Sequence, residues 1–382
     1  MTEKYTALYD AHKALGASFT DFGGWQMPLK YSSELAEHHA VRNGAGLFDL
    51  SHMGEVEITG PEAAQFLDYA VVGKISAMPV GKAKYSLICA EDGGIIDDLI
   101  IYRRPQAADG TDVFLVVPNA GNADVVAAAL AERAEGFDAI VKDASAETSL
   151  IAVQGPKAQD ILLRLVPAAQ HEAVTGLKYY AGVDVTFLVG GAGLDLLLAR
   201  TGYTGEDGFE IFVANSDAAG LWQALMAVAE PGELTPAGLA CRDSLRLEAG
   251  MPLYGNELSR QADPFAAGLG PVVALSKEGD FVGKAALAAR KEAGAGSTSG
   301  RRLVGLKGLG RRAGRAHYPV LKDSVVVGEV TSGQPSPTLG FPVAMAYVDV
   351  AHAAPGTALD IDLRGKAEPF EVVALPFYKR GK

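Results

Sequence analysis

Two adjacent carboxylates, Asp97 and Asp98, stand in the middle of Gly93-Gly94-Ile95-Ile96-Asp97-Asp98-Leu99-Ile100-Ile101-Tyr102. The glycines read as a turn, and the β-branched and apolar residues after them read as a strand. A strand that is apolar on both faces is normally buried. A buried carboxylate is costly unless it finds a counter-charge, a proton or a ligand. Side chains alternate along a strand, so the two aspartates face opposite ways and at most one can serve a given pocket. They could be two structural ion pairs, or one of them could be an acid–base or electrostatic group in a closed site. Glu210 interrupts Gly208-Phe209-Glu210-Ile211-Phe212 in the same manner, after a glycine-rich turn at 200–207. A third charged segment, 236–250, reads as a loop entering a helix that carries Arg242, Asp243, Arg246 and Glu248. Each of these groups, taken alone, is compatible with ordinary ion pairing.

The elements that must hold them are mixed. Helical spacing is expected at 62–70, 123–135, 157–165 and 218–229, with strands between. Short strand-like runs at 302–306, 325–330, 343–348 and 370–374, split by Gly and Pro, suggest a small all-β domain. A small-residue stretch at 292–300 reads as a linker before it. Hairpins of this kind point to antiparallel α+β sheets, and no glycine-rich dinucleotide or phosphate loop follows a strand. No nucleophile elbow is present. His38 and His39 are adjacent and would diverge on a helix, and His52 has no ligand-spaced partner, so no metal site is expected. The 382 residues exceed a typical single domain, and 48% apolar content suffices for well-packed cores. A net charge of −12 argues against non-specific nucleic-acid binding. Two isolated cysteines, Cys89 and Cys241, imply no disulfide framework. The absence of a charged-then-apolar leader and of any membrane-length apolar run leads to the expectation of a cytoplasmic protein that does not enter a membrane.

Other stretches accompany the three charged segments. They are Asp21-Phe22-Gly23-Gly24-Trp25, Glu37-His38-His39-Ala40-Val41-Arg42, Leu47-Phe48-Asp49-Leu50-Ser51-His52-Met53-Gly54, Gly81-Lys82-Ala83-Lys84-Tyr85-Ser86, Val153-Gln154-Gly155-Pro156, Glu329-Val330-Thr331-Ser332-Gly333 and Pro376-Phe377-Tyr378. In this order and spacing, from about residue 5 to the last residues, they resemble the T-protein (aminomethyltransferase) family of the glycine cleavage system. The resemblance implies an α+β fold: a three-domain cloverleaf with two mixed antiparallel-sheet domains and a small C-terminal all-β barrel or jelly roll. The implied divisions are 1–53 with 141–290, an inserted 54–140 carrying the Asp98 strand, and 301–382.

The same resemblance implies an enzyme. It would take an aminomethyl group from the lipoyl arm of the H-protein, release ammonia and form 5,10-methylenetetrahydrofolate from tetrahydrofolate. Asp98 matches the family's catalytic aspartate. Glu210 matches the carboxylate that accepts the paired N–H groups of the pterin edge. Met53, Tyr85, Asn119 and Tyr203 match ligand-lining positions. Arg242 matches a site residue that could hold Asp98 ionised or bind the folate tail. Lys379 stands where the family often has Arg, keeping the charge but not the fork geometry. Pro271 stands where an aromatic is common, and a proline cannot supply that aromatic wall. Two relatives on the same scaffold remain as alternatives. One is a folate-dependent demethylase. The other is a non-enzymatic iron–sulfur maturation factor, whose Lys-Gly-Cys-Tyr-x-Gly-Gln-Glu motif is replaced here by Arg200-Thr201-Gly202-Tyr203-Thr204-Gly205-Glu206-Asp207. Basic residues at 301–315 are a candidate surface for docking the H-protein.

Overall fold

The protein is described here by a computed structural model covering residues 3–294 and 299–381. The helix Lys284–Ala293 runs into the expected linker at 292–300, and 295–298 lie outside the described residues. The chain divides into two compact units.

A six-stranded sheet organises the first unit, which comprises Met1–Leu67, Ile75–Tyr85 and Leu99–Arg242. In spatial order its strands are Gly182–Val189, Ala192–Ala199, Gly208–Ala214, Thr148–Gln154, Ala45–Asp49 and Leu234–Pro236. All neighbours are antiparallel except the last pair, which is parallel. Alternation sorts the side chains onto two faces. Leu47, Ile151, Val153, Phe209, Ile211 and Val213 enter one core with Ile161, Leu162, Leu221, Trp222 and Leu225 of the helices Ala158–Leu163 and Asn215–Val228. The interleaved Phe48, Ala152, Gln154, Glu210 and Phe212 point the other way. Each buried aliphatic or aromatic side chain contributes roughly 1.5–3 kcal/mol. A one-residue slip would carry Glu210 into that hydrocarbon core, so the register is strongly specified.

The Asp98 strand, Ile95–Arg103, belongs to a five-stranded sheet in the order Ala83–Cys89, Ile95–Arg103, Asp112–Pro118, Val56–Gly60, Ile140–Asp143. Ile95, Leu99, Ile101 and Tyr102 are buried along it. This is the two-faced apolar strand expected from the residues.

The second unit comprises Asp68–Lys74, Ser86–Asp98 and Asp243–Lys382. Its C-terminal part is the expected all-β element, a closed barrel in the order Arg301–Gly308, Pro342–Asp349, Val325–Pro335, Pro319–Lys322, Ala358–Asp362, Ala367–Val373. Leu306, Val320, Val330, Ala344, Ala346, Ile361, Phe370 and Val372 fill it. Two of its strands were not expected. Pro319–Lys322 is only four residues long, and Ala358–Asp362 offers only Leu359 and Ile361 to the core, alternating with Asp360 and Asp362. Such short runs bury too little apolar surface to stand out from turns.

Arg246, 1% exposed, ties the second unit together beside the barrel. Its Nη1 donates to Glu257 Oε2 at 3.0 Å and its Nη2 to Ser332 Oγ at 2.8 Å, while Ser332 donates to Glu257 Oε1 at 2.6 Å. Removing one partner of a buried pair leaves the other charge uncompensated. Arg246→Met is therefore expected to lower stability by about 3–5 kcal/mol; an unchanged urea midpoint would exclude this role.

Glu55 is the converse case. It is fully buried, and both its carboxylate oxygens lack a hydrogen-bond partner among the described residues. Burial, and secondarily the nearby Asp143 charge, push its carboxyl from 4.5 up to about 9. Between those values the folded chain keeps a proton that the unfolded chain releases. Stability thus falls as pH rises, by about 1.4 kcal/mol per pH unit. Glu55→Gln, which cannot ionise, should match the parent near pH 5 and exceed it at pH 8. Parallel melting curves at both pH values test this; a gap that does not widen with pH would show Glu55 to be ionised in the fold.

Candidate active site

Glu210 lies at the centre of a row across the six-stranded sheet, paired with Ala199 on one side and Ala152 on the other, with Phe48 opposite Ala152. The two alanines leave space beside the carboxylate. Phe48, Leu50, Ala152, Gln154, Tyr203, Thr204, Glu210 and Arg242 line a cavity here of about 10 Å³, room for roughly one water.

The turn at 200–207 roofs this cavity and is tied at both ends. Arg200 grips Asp207 with two nitrogens and lies 5.1 Å from the Phe209 ring centre. Arg42 donates to the Thr204 carbonyl at 2.7 Å and to Glu206 at 2.9 Å, in an ion pair whose side chains are each 5% exposed. Between these ties Gln154 acts as a wedge. Its Nε2 donates to the Thr201 carbonyl at 3.0 Å, and its Oε1 accepts from the Thr204 hydroxyl at 2.9 Å. A Cβ on Gly202 would fall 2.0 Å from Gln154 Oε1, and one on Gly208 2.5 Å from its Cδ. Those two glycines are therefore needed for close approach to one side chain.

Glu210, 8% exposed, accepts from hydroxyls. Thr201 donates to Oε2 at 2.5 Å, and Tyr102 reaches the same oxygen at 3.4 Å and Thr201 Oγ1 at 2.9 Å. Burial raises the Glu210 carboxyl above its usual range, while Thr201, the Arg242 charge and Tyr102 pull it back. Burial and then the Glu210 charge hold the Tyr102 phenol well above its usual value, so it remains a donor.

Arg242 rises from the helix Leu239–Glu248. The start of that helix is held by buried Glu37, whose Oε2 accepts from Gly238 N at 3.0 Å and whose Oε1 accepts from the Tyr31 and Ser32 amides at 2.8 and 3.0 Å. The guanidinium sits 4.6 Å from the centre of the Tyr203 ring. Burial, and then the Arg242 charge, push His52 down to about 3, so its imidazole is neutral. The two roles considered for Arg242 from the sequence are thus joined by a third, as a cation whose charge lowers the Glu210 carboxyl.

The structure therefore brings Glu210, Tyr203 and Arg242 around one cavity. Met53, Tyr85 and Asn119 are half-buried positions of the first unit outside that lining. In the second unit, Asp97 is fully buried and Asp98 half-buried, Lys379 is exposed, and Pro271 lies in the short helix Gly270–Val272. Tyr254 donates to the Ile95 carbonyl at 3.1 Å on that strand. Among the described residues no cluster of His, Cys, Asp or Glu could hold a metal, and no helix is long and apolar enough to cross a membrane.

Sequence reasoning gave no role to Gln154, Thr201, Tyr102 or the Arg42–Glu206 pair. A glutamine closing an otherwise apolar strand at 149–154, with glycines recurring at 202 and 208, was the available signal. A larger cleft of about 410 Å³ includes Glu57, Arg104, Lys142, Glu147, Asp195 and Phe212 in its lining and none of the expected site residues. Its carboxylates are engaged, Glu57 and Glu147 by Lys142 at 3.9 and 3.3 Å and Asp195 by Thr186 at 2.6 Å.

The family model described as "GCVT N-terminal domain" matches residues 8–277, and that described as "Glycine cleavage T-protein C-terminal barrel domain" matches 301–379. The Aminomethyltransferase of Streptomyces coelicolor is 58% identical over 378 residues, covering 99% of this chain and 98% of that protein. That of Corynebacterium jeikeium is 55% identical over 403 residues, covering 100% of each. The crystal structure of glycine cleavage system aminomethyltransferase T from Bartonella henselae matches with a TM-score of 0.88 at 36% identity, over 99% of each chain. The chain belongs to the glycine cleavage T-protein family, the aminomethyltransferases.

Proposed function

We propose that this chain transfers the aminomethyl carbon from the lipoyl arm of an H-protein to tetrahydrofolate, releasing ammonia and leaving 5,10-methylenetetrahydrofolate. The observation that carries the proposal is a buried carboxylate, Glu210, lining a polar-edged cavity in a chain matched almost end to end by the family. A pterin presents an amide N–H and an amino group side by side. A carboxylate accepts such a pair with both oxygens. Arg242 lies over Tyr203 at the edge of the cavity, and these aromatic and guanidinium faces suit the flat heterocycle.

Asp98 is assigned the reacting role and Asp97 a structural one. Full burial of Asp97 and partial exposure of Asp98 support this division. A carboxylate beside the folate nitrogens orients the nucleophile, offsets positive charge on the developing iminium and relays its proton. Met53, Tyr85 and Asn119 are assigned to the ligand wall and Lys379 to the anionic tail. The six-stranded sheet, the five-stranded sheet and the closed barrel support the three-domain division at 1–53 with 141–290, 54–140 and 301–382. Two buried thiols, Cys89 and Cys241, suit a reducing compartment, and we place the protein in the cytoplasm. Of the basic residues considered for docking the H-protein, Arg301 and Arg312 are paired with Asp349 and Glu368, which weakens that local field. Ammonia release from an aminomethylated H-protein, with and without tetrahydrofolate, separates this function from a demethylase and from a folate-binding maturation factor.

Glu210→Gln keeps the shape but turns one acceptor into a donor facing the pterin's own N–H. Tetrahydrofolate binding should weaken by about 2–4 kcal/mol, with H-protein affinity unmoved. Tight folate binding by the folded variant would remove Glu210 from the site.

The two aspartates are separated by their amides. Asp98→Asn should fold and bind tetrahydrofolate, with turnover lower by about 10²–10⁴-fold. Asp97→Asn should lower the melting temperature yet leave single-turnover rates near normal in the folded fraction. The reverse pattern would mean that the reacting group is on the other face of the strand.

A further inference from the structure

Thr201 is the junction of the hydrogen bonds beneath the cavity. Its carbonyl is held by Gln154 at 3.0 Å and its hydroxyl lies 2.5 Å from Glu210 Oε2 and 2.9 Å from the Tyr102 hydroxyl. Thr201 is 1% exposed and Tyr102 2% exposed, so water does not supply these bonds. Thr201 has one hydroxyl proton. If it goes to the carboxylate, Tyr102 must donate to Thr201 Oγ1, which gives a directed chain Tyr102 to Thr201 to Glu210. Both hydroxyls reach Oε2, and Oε1 receives neither.

We infer that Thr201, backed by Tyr102, is a positioning residue for folate recognition: its hydroxyl holds Glu210 as an ionised acceptor in one orientation, with Oε1 turned to the ligand. The inference rests on the proposed role of Glu210. A protonated Glu210 would set an O–H against the pterin's N–H, so the carboxyl must be kept charged inside a dry wall. Donors to the charged form favour it, and burial opposes it. The groups acting on Glu210 are Thr201, Arg242 and Tyr102, with Arg242 stacked on Tyr203 across the cavity. Of the two hydroxyls, Thr201 makes the shorter contact, 2.5 Å against 3.4 Å for Tyr102. Gln154 and the Arg42–Glu206 pair fix the turn so that this hydroxyl cannot swing away.

The test is tetrahydrofolate binding, titrated between pH 5.5 and 8.5 on the full chain under reducing conditions. The parent should bind with little pH dependence. Thr201→Val keeps the volume but removes the donor. Its affinity should fall toward low pH, by about tenfold for each unit that the Glu210 carboxyl moves upward. Thr201→Ser should restore the parental profile, and kcat at saturating folate should change less than twofold in both variants. Tyr102→Phe should shift the profile in the same direction by less, and it decides the matter if Thr201→Val does not fold. A parental pH profile in the folded Thr201→Val variant, or a uniform loss of affinity without pH dependence, would overturn the inference. Failure of the parent itself to bind tetrahydrofolate would refute instead the role proposed for Glu210.

Discussion

Glu210 must remain on the cavity-bearing face of a sheet whose other face is solid hydrocarbon, and much of the first unit follows from that constraint. Phe209 and Ile211 on either side of it are fully buried in the core with Val153 and Ile151. A carboxylate carried among them would lose its hydration without a partner, at a cost of several kcal/mol or more. The alternation of the strand thus fixes the register, and the register fixes which residues share the cavity-bearing face. Ala152 and Ala199 flank the carboxylate because larger side chains there would fill the space it borders.

Holding such a group ready to accept requires donors that are themselves immobile. The protein builds them from neutral hydroxyls and one amide. Gln154 spans the gap between the turn at 200–207 and the strand Gly208–Ala214, and the missing side chains at Gly202 and Gly208 let it fit. The buried Arg42–Glu206 pair closes the same turn from outside. A buried ion pair contributes little net stability but fixes geometry when its bonds are satisfied. Arg242 adds positive charge that lowers the Glu210 carboxyl, beside the hydroxyls of Thr201 and Tyr102. The carboxylate is steadied yet retains acceptor capacity.

The second unit solves a different problem by the same physics. Arg246, Glu257 and Ser332 exchange hydrogen bonds until each buried charge is satisfied. Glu55 of the first unit, by contrast, has no hydrogen-bond partner for its carboxyl among the described residues and keeps its proton, so it sits in the fold as a neutral acid. Buried carboxyl groups in one chain are therefore accommodated in three ways: by an ion pair, by a retained proton, and by hydroxyl donors beside a cavity.

The sequence alone determined the elements whose signal is local. The Asp98 strand, the Glu210 strand and the helix bearing Arg242 were legible because apolar periodicity and flanking glycines survive in any context. Most of the barrel strands were legible for the same reason, and the order of long motifs was enough to indicate the family. Within the cavity, Glu210, Tyr203 and Arg242 were found because their motifs are distinctive. Thr201, Tyr102, Gln154 and Arg42 were not, since a threonine in a turn, a tyrosine in an apolar strand and a glutamine at a strand end have ordinary local explanations. Their significance lies in partners far along the chain: Tyr102 meets Glu210 across 108 positions, and Gln154 meets Thr201 across 47. Only tertiary structure decides such pairings, because a hydrogen bond in a dry interior is set by which backbone segments the sheet register brings together, and no local pattern encodes that distance.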